Sequence, residues 1–298
     1  MDYVGEIASV LTSVFFSITA VIFTQASRQV GAMNTNRVRL IIALIYLMLI
    51  NLILFGQPLP IEAGLERWAW LALSGVVGLA LGDMFLFRAY AIIGARMGML
   101  LMSLAPVIGA VVAWMAFGET LRGGQIIGIA VTLIGIAWVV LTRTADDAPR
   151  PSGHGRGIVF GVLAATGQAL GLVLSKQGMT NNFSPFAGNA IRMLAAAVAF
   201  WIVTVVQRQG GETIRTVRAH PTALKVLALG ALVGPVLGVS ASLLAVQHAE
   251  IGVASTLMAL PPVFLLPISY FVFKERFGWQ TVAGTIVAMI GVGVLFLV

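Results

Sequence analysis

One segment of this 298-residue chain occurs twice, and that repetition constrains the fold more than any other feature. Residues 72–141 and 228–297 align without a gap at an offset of 156, with 19 of 70 positions identical. Gly78 and Gly82 answer Gly234 and Gly238, Pro106 answers Pro262, Phe117 and Glu119 answer Phe273 and Glu275, and Gly128, Ile134 and Gly135 answer Gly284, Ile290 and Gly291. A period this long, carried by glycines and prolines inside apolar runs, marks two copies of one structural unit. A weaker match extends upstream, where Asn36, Arg39 and Leu40 stand opposite Asn189, Arg192 and Met193, so each unit carries an Asn-x-x-Arg near the start of its second helix.

The unit belongs in lipid. Apolar residues make up 59% of the chain and charged ones 10%, against about 25% charged in a soluble domain, and the mean hydropathy is +0.99. The absence of cysteine excludes disulfides, thiolate metal sites and cysteine nucleophiles. A net charge of +7 could suggest nucleic acid, but the basic residues fall in short connectors between apolar runs, where they act as topology signals.

Apolar runs cover 4–25, about 36–55, 67–87, 95–117, 123–141, 157–177, 184–206, 222–246, 251–273 and 279–298. Each is near the roughly 20 residues that cross about 30 Å of hydrocarbon. The first run is expected to be a retained helix, because its leading residues, Asp2 and Glu6 among them, include no basic n-region. Pro58 and Pro60 break the connector 56–66, and the polar tract 143–156, with His154 as a solvated loop residue, reads as the linker between residues 1–142 and 157–298. Two copies of five spans must insert in opposite orientations, because an odd number of crossings reverses the second copy. Alternating helices gather Arg28, Arg37, Arg88, Arg96, Arg143, Arg150, Arg156, Arg208, Arg215, Arg218, Lys274 and Arg276 on one side and leave mainly Arg67, Arg122 and several carboxylates on the other. The basic side is expected to be cytoplasmic, with both termini outside.

Pro106-Val107 and Pro262-Val263, the Phe-x-Glu runs at 117–119 and 273–275, and the glycine-spaced fifth helix of each copy resemble the EamA-type branch of the drug/metabolite transporter superfamily. The resemblance covers nearly the whole chain. It implies an all-α polytopic membrane protein of ten helices, two inverted five-helix repeats around a central cavity, with the fifth and tenth peripheral. Within the branch the chain is most similar to bacterial aromatic amino-acid exporters, which implies a carrier in the inner membrane working by alternating access.

Helical spacing then nominates residues. Ser13, Ser17, Ala20 and Thr24 form one small or hydroxyl-bearing stripe on the first helix, and Ala165, Gln168, Ala169, Leu172 and Ser175 repeat it on the sixth. Such stripes either line a cavity or let helices approach and hydrogen-bond. Gln168 is the best cavity candidate, since an amide at mid-depth needs partners. Asp83 is the carboxylate well inside an apolar run. It reads either as a functional group or as half of a structural ion pair with Arg88, a little over a turn away. Arg39 and Arg192 could grip a substrate carboxylate by a bidentate fork. Their places near helix ends, and their repetition against an asymmetric substrate, favour a structural role. Met99, Met102, Ser103 and Pro106, with Ser255, Met258, Ala259 and Pro262, share one face of the fourth and ninth helices and read as packing or as an adaptable pocket. Tyr90 and Ser242 complete the candidate cavity set. Gly78, Gly82, Gly234 and Gly238 read as close-contact surfaces, and Pro106 and Pro262 as bends that a gate could use.

The function expected from these residues is facilitative export of amino acids, aromatic and neutral, and related metabolites. The alternative is a proton-coupled exporter of drugs or lipophilic cations, for which Asp83 speaks. The small four-helix relatives place a glutamate in the middle of the first helix, and here that helix has only Glu6 at its start. Neither a nucleophile with its base nor a metal-ligand cluster lies at mid-membrane, so no enzyme, metal or cofactor is expected. The expected partners are a small-molecule substrate and the bilayer, with no nucleic acid, around a monomer.

Overall fold

The computed structural model describes residues 3–117, 123–141, 153–249, 254, 257–273 and 278–297, and among these the regular elements are helical throughout. In chain order they are α1 (Val4–Val30), α2 (Ala32–Phe55), α3 (Leu65–Ser74), α4 (Asp83–Met102), α5 (Leu104–Phe117), α6 (Gly123–Leu141), α7 (His154–Gly178), α8 (Pro185–Val206), α9 (Gly210–Ala219), α10 (Pro221–Ala231), α11 (Val239–His248), α12 (Pro261–Phe273) and α13 (Trp279–Leu297). Segments Val4–Val30, Ala32–Phe55, Leu65–Met102, His154–Gly178, Pro185–Val206 and Pro221–His248 are long and apolar enough to cross a membrane. Ile126–Val139 and Trp279–Val294 are shorter apolar stretches. Large apolar side chains such as Ile53, Val206 and Phe271 stand exposed on the outer faces, a surface suited to lipid. His154 opens α7 rather than lying in a loop, so the end of the polar tract is already helical.

Two glycines make the tight corners. Gly31 (φ 84°, ψ 150°) joins α1 to α2, and Gly94 (φ 78°, ψ 167°) interrupts α4, dividing the third apolar run from the fourth. Side chains strongly disfavour that backbone region. The third helix of each repeat also contains a π-helical turn, at Gly75–Gly82 between α3 and α4 and at Leu232–Gly238 between α10 and α11. The two turns end on glycines related by the repeat offset. Close contact explains the small residues. A Cβ on Gly167 would lie 2.7 Å from the Cα of Gly82, and one on Gly171 would lie 2.9 Å from the Cα of Gly78. In the other copy Gly234 meets Thr19 and Gly238 meets Phe16.

Packing between the copies is reciprocal. On α6 a Cβ at Gly135 would sit 2.3 Å from the Ala288 nitrogen, and on α13 a Cβ at Gly291 would sit 2.3 Å from the Thr132 nitrogen. Positions 132 and 135 are the repeat partners of 288 and 291. Each residue therefore touches what its own counterpart touches in reverse, which is the signature of two-fold symmetry. Gly284 meets Val139, so numbers rise along α6 as they fall along α13. The second helices are antiparallel too, with Arg37 bonded to Thr204 near one end and Asn51 to Phe186 near the other. Corresponding helices that run in opposite directions define inverted repeats, as the parity of the spans requires. The first helix of each copy packs on the third of the other, through Gly5 to Ala249 and Gly230 to Phe23 in one case and Gly157 to Ile93 and Gly178 to Leu71 in the other.

Helix α9 has no counterpart in the apolar pattern. It buries Thr213 and Val217, one turn apart, and exposes Arg215 and Arg218. Buried Arg37 holds it in place, donating to Thr213 (2.7 Å) and Gln209 as well as to Thr204 (3.0 Å) and Asn34 (3.1 Å). At the opposite end Arg67 donates to the carbonyls of Gly178 (3.1 Å) and Thr180 (3.2 Å) and lies over the Phe183 ring.

Candidate functional site

Asp83 opens α4 directly after the first π turn and is 6% exposed. A carboxylate buried in a bundle is tolerated only when paired and hydrogen-bonded. Its Oδ2 forms an ion pair with Arg39 of α2, and its Oδ1 accepts from Gln168 Nε2 of α7 at 3.3 Å. Arg39 Nε donates to Asn36 Oδ1 (2.9 Å) and Nη2 also donates to the Leu79 carbonyl (3.3 Å) inside the π turn. The guanidinium carbon lies 5.0 Å from the Phe87 ring centre and 5.8 Å from that of Phe23, within cation–π reach. One carboxylate thus ties the second and third helices of the first repeat to the first helix of the second.

The other copy is built differently. Asn189, counterpart of Asn36, donates to the Pro235 carbonyl (2.7 Å) and to Ser240 Oγ (3.0 Å). Pro235 is the repeat partner of Leu79. The carbonyl that receives an arginine in copy one therefore receives an asparagine in copy two. Arg192, counterpart of Arg39, is 3% exposed with its Nε buried and unbonded. Val239 occupies the position equivalent to Asp83, and among the described residues Arg192 has no ion pair within 4 Å. A Cβ placed on Gly78 would have Arg192 Nη2 and Gln168 Oε1 each 3.7 Å away.

The remaining sequence-nominated residues are spread over several environments. Ser13 Oγ donates to the carbonyl of Leu257 and Ser17 Oγ to that of Pro261 (3.2 Å), tying α1 to the start of α12. Thr24 and Ser103 are 2% and 1% exposed, and both hydroxyls lack partners. Tyr90 packs edge-on to Phe87, and Met99 shares a core with Phe23 and Leu265, with Met102 at its margin. Ser175 and Ser242 bond within their own helices, to Leu172 and Val239. Pro106 lies in α5, and Pro262 follows Pro261 at the start of α12. Ser255, Glu119 and Glu275 lie outside the described residues.

Arg88 is not the partner of Asp83. It lies over the Phe160 ring at 5.6 Å, while Arg39, 44 residues upstream, takes the carboxylate. The sequence reading also passed over Phe23, Phe87, the bond from Arg39 to Asn36 and the carbonyl contact of Asn189. The repeated Asn-x-x-Arg was their only trace.

The sequence model of the EamA-like transporter family matches twice, over residues 3–141 and 155–297. Among solved structures, one crystal structure aligns over 100% of this chain and 98% of its own length, with a TM-score of 0.67 and 15% identity, a likeness of fold. A comparison with curated proteins found no match. With apolar spans paired antiparallel and both halves matching the same family, the chain belongs to the EamA-like transporter family and is a membrane transporter of the drug/metabolite type.

Proposed function

We propose that this transporter exports amino acids, aromatic and neutral ones foremost, and related metabolites across a bacterial inner membrane. The observation that carries the proposal is the buried cluster of Asp83, Arg39, Gln168 and Arg192 at the junction of the two inverted repeats. A site holding both signs of charge beside Phe23 and Phe87 suits a zwitterion with an apolar side chain. Ionisable groups at depth are expensive and mark pathways in membrane proteins. The two units, 1–142 and 157–298 joined by 143–156, would rock about this junction and open it to each side in turn.

Pairing of Asp83 with Arg39 supports a carrier driven by its substrate gradient. The second reading, proton-coupled export of drugs or lipophilic cations, rests on Asp83 itself, a carboxylate at the junction. Purified protein in liposomes loaded with unlabelled phenylalanine separates the two. Saturable entry of labelled phenylalanine that ignores an imposed pH gradient is the expected result. Entry that collapses without the gradient, or flux of lipophilic cations alone, moves the assignment to the second reading.

A further inference from the structure

Helix α9 is fixed by the bundle on one side and left incomplete on the other. Arg37 lies near the start of α2 and Thr204 near the end of α8. The bonds from Arg37 to Thr204, Gln209 and Thr213 therefore set α9 at the level where those two spans end. Trp201 stands at the same level. Its indole Nε1 donates to the Arg37 carbonyl (3.4 Å), and its ring comes within 3.9 Å of the point a Cβ on Gly210 would occupy. Tryptophan favours the boundary between hydrocarbon and headgroups. Lipid-facing surface reaches this level from both sides, through exposed Val205 and Val206 at the end of α8 and exposed Leu224 at the start of α10.

The outer side of α9 is apolar and cationic at once. Ile214 is half exposed. At 3.6 residues per turn, Arg218 stands about 40° and Arg215 about 100° around the helix from it, whereas Glu212 stands about 160° away. Arg208, just before the helix, and Lys225, just after it, are exposed as well. Over 207–225 these four cations accompany a single carboxylate, Glu212, and among the described residues none of the four has an ion pair within 4 Å. Glu212 is three residues from Arg215, a spacing that permits pairing on a helix, and still does not pair. A topology signal needs only cations in a connector. It does not need them on one arc beside an exposed isoleucine, on an element locked to the bundle by a buried arginine.

We propose that α9 lies in the bilayer surface and binds anionic phospholipid headgroups through Arg215 and Arg218, with Ile214 dipping into the acyl boundary. An interfacial helix has this form, an apolar side chain flanked by guanidiniums that reach up to phosphates. Anionic lipid supplies the negative charge that the described protein groups do not. The site requires only that the chain spans a membrane, so it stands whatever the substrate. It also falls on a joint between the repeats, because Arg37 belongs to the first and Thr204, Gln209 and Thr213 to the second.

The test follows thermal unfolding of the full chain in neutral detergent, titrated with phosphatidylglycerol, phosphatidylcholine or soluble glycerol 3-phosphate. Phosphatidylglycerol should raise the melting temperature saturably, and the other two should fall short of it. One cation near an anionic surface is worth about fivefold in binding, so the double variant Arg215→Gln, Arg218→Gln should need about 25-fold more phosphatidylglycerol to reach its midpoint. Both side chains are exposed and unpaired, so the double variant should melt with the wild type when lipid is absent. Lys176→Gln removes an exposed cation near the Arg67 end of the bundle and should titrate as the wild type. Equal midpoints in the wild type and the double variant overturn the proposal. So does a full response to glycerol 3-phosphate, which would make this a site for soluble phosphate. A second measurement reads position, with nitroxides on Ile214→Cys and Glu212→Cys in phosphatidylglycerol bilayers. Oxygen, which partitions into lipid, should relax the first more strongly, and a water-soluble nickel chelate the second. Equal nickel accessibility at the two positions also overturns the proposal.

Discussion

At Asp83 two oxygens are divided between the two repeats, Oδ2 holding Arg39 and Oδ1 taking Gln168. Removing one member of such a pair strands the other in a place where water cannot reach it. Asp83→Leu is expected to cost about 3–5 kcal/mol, and the double variant Asp83→Leu with Arg39→Met should recover most of that loss. Unfolding in detergent, by heat or denaturant, measures both. Losses that simply add would show that the pair is not the unit described here. The sequence singled out Asp83 and Arg39 but could not join them, because spacing along one helix is all that a linear reading resolves. Arg88 was the nearest cation on that helix, and it turned instead to Phe160.

Among the elements, the start of α12 shows a hydroxyl from another helix joining a backbone donor on one carbonyl. Pro261 has no N–H to bond the Leu257 carbonyl one turn back, and that carbonyl accepts instead from the Leu260 N–H (3.4 Å) and from Ser13 Oγ of α1. The stripe on the first helix was legible as hydroxyls at helical spacing. Its partner was not, because a freed carbonyl is invisible until the neighbouring helix is placed. Ser13→Ala should cost about 0.5–1.5 kcal/mol, the net worth of one hydrogen bond to a carbonyl that keeps the Leu260 N–H. In a Pro261→Ala background, where residue 261 regains its N–H, the same change should cost less than half as much. A double-mutant cycle measures the coupling, and zero coupling would refute this account. The π turns at Gly75–Gly82 and Leu232–Gly238 carry the same lesson. Their glycines were plain in the repeat. The change of helical winding was not, and the groups packed against those glycines, Gly167, Gly171, Phe16 and Thr19, come from other helices.

For the molecule as a whole, the interlaced antiparallel copies leave a basic end and an opposite end. Arg37 anchors α9 at the first, and Arg67 caps loop carbonyls at the second. The chain has no cysteine, so single introduced thiols report orientation without background. Glu62→Cys, at an exposed position on the Arg67 end, should react with an impermeant maleimide applied to intact cells. Arg215→Cys, exposed on α9, should react only after permeabilisation. The opposite pattern would invert the orientation that the positive charges imply.

Residue order by itself determined that the chain is a duplicated, inverted, lipid-embedded bundle, because hydropathy, repeat offset and the parity of spans are one-dimensional properties. Only the tertiary structure decided which of two repeat-related arginines is neutralised. That outcome depends on a single carboxylate in one copy and an asparagine on the matching carbonyl in the other, contacts made across helices far apart in the chain.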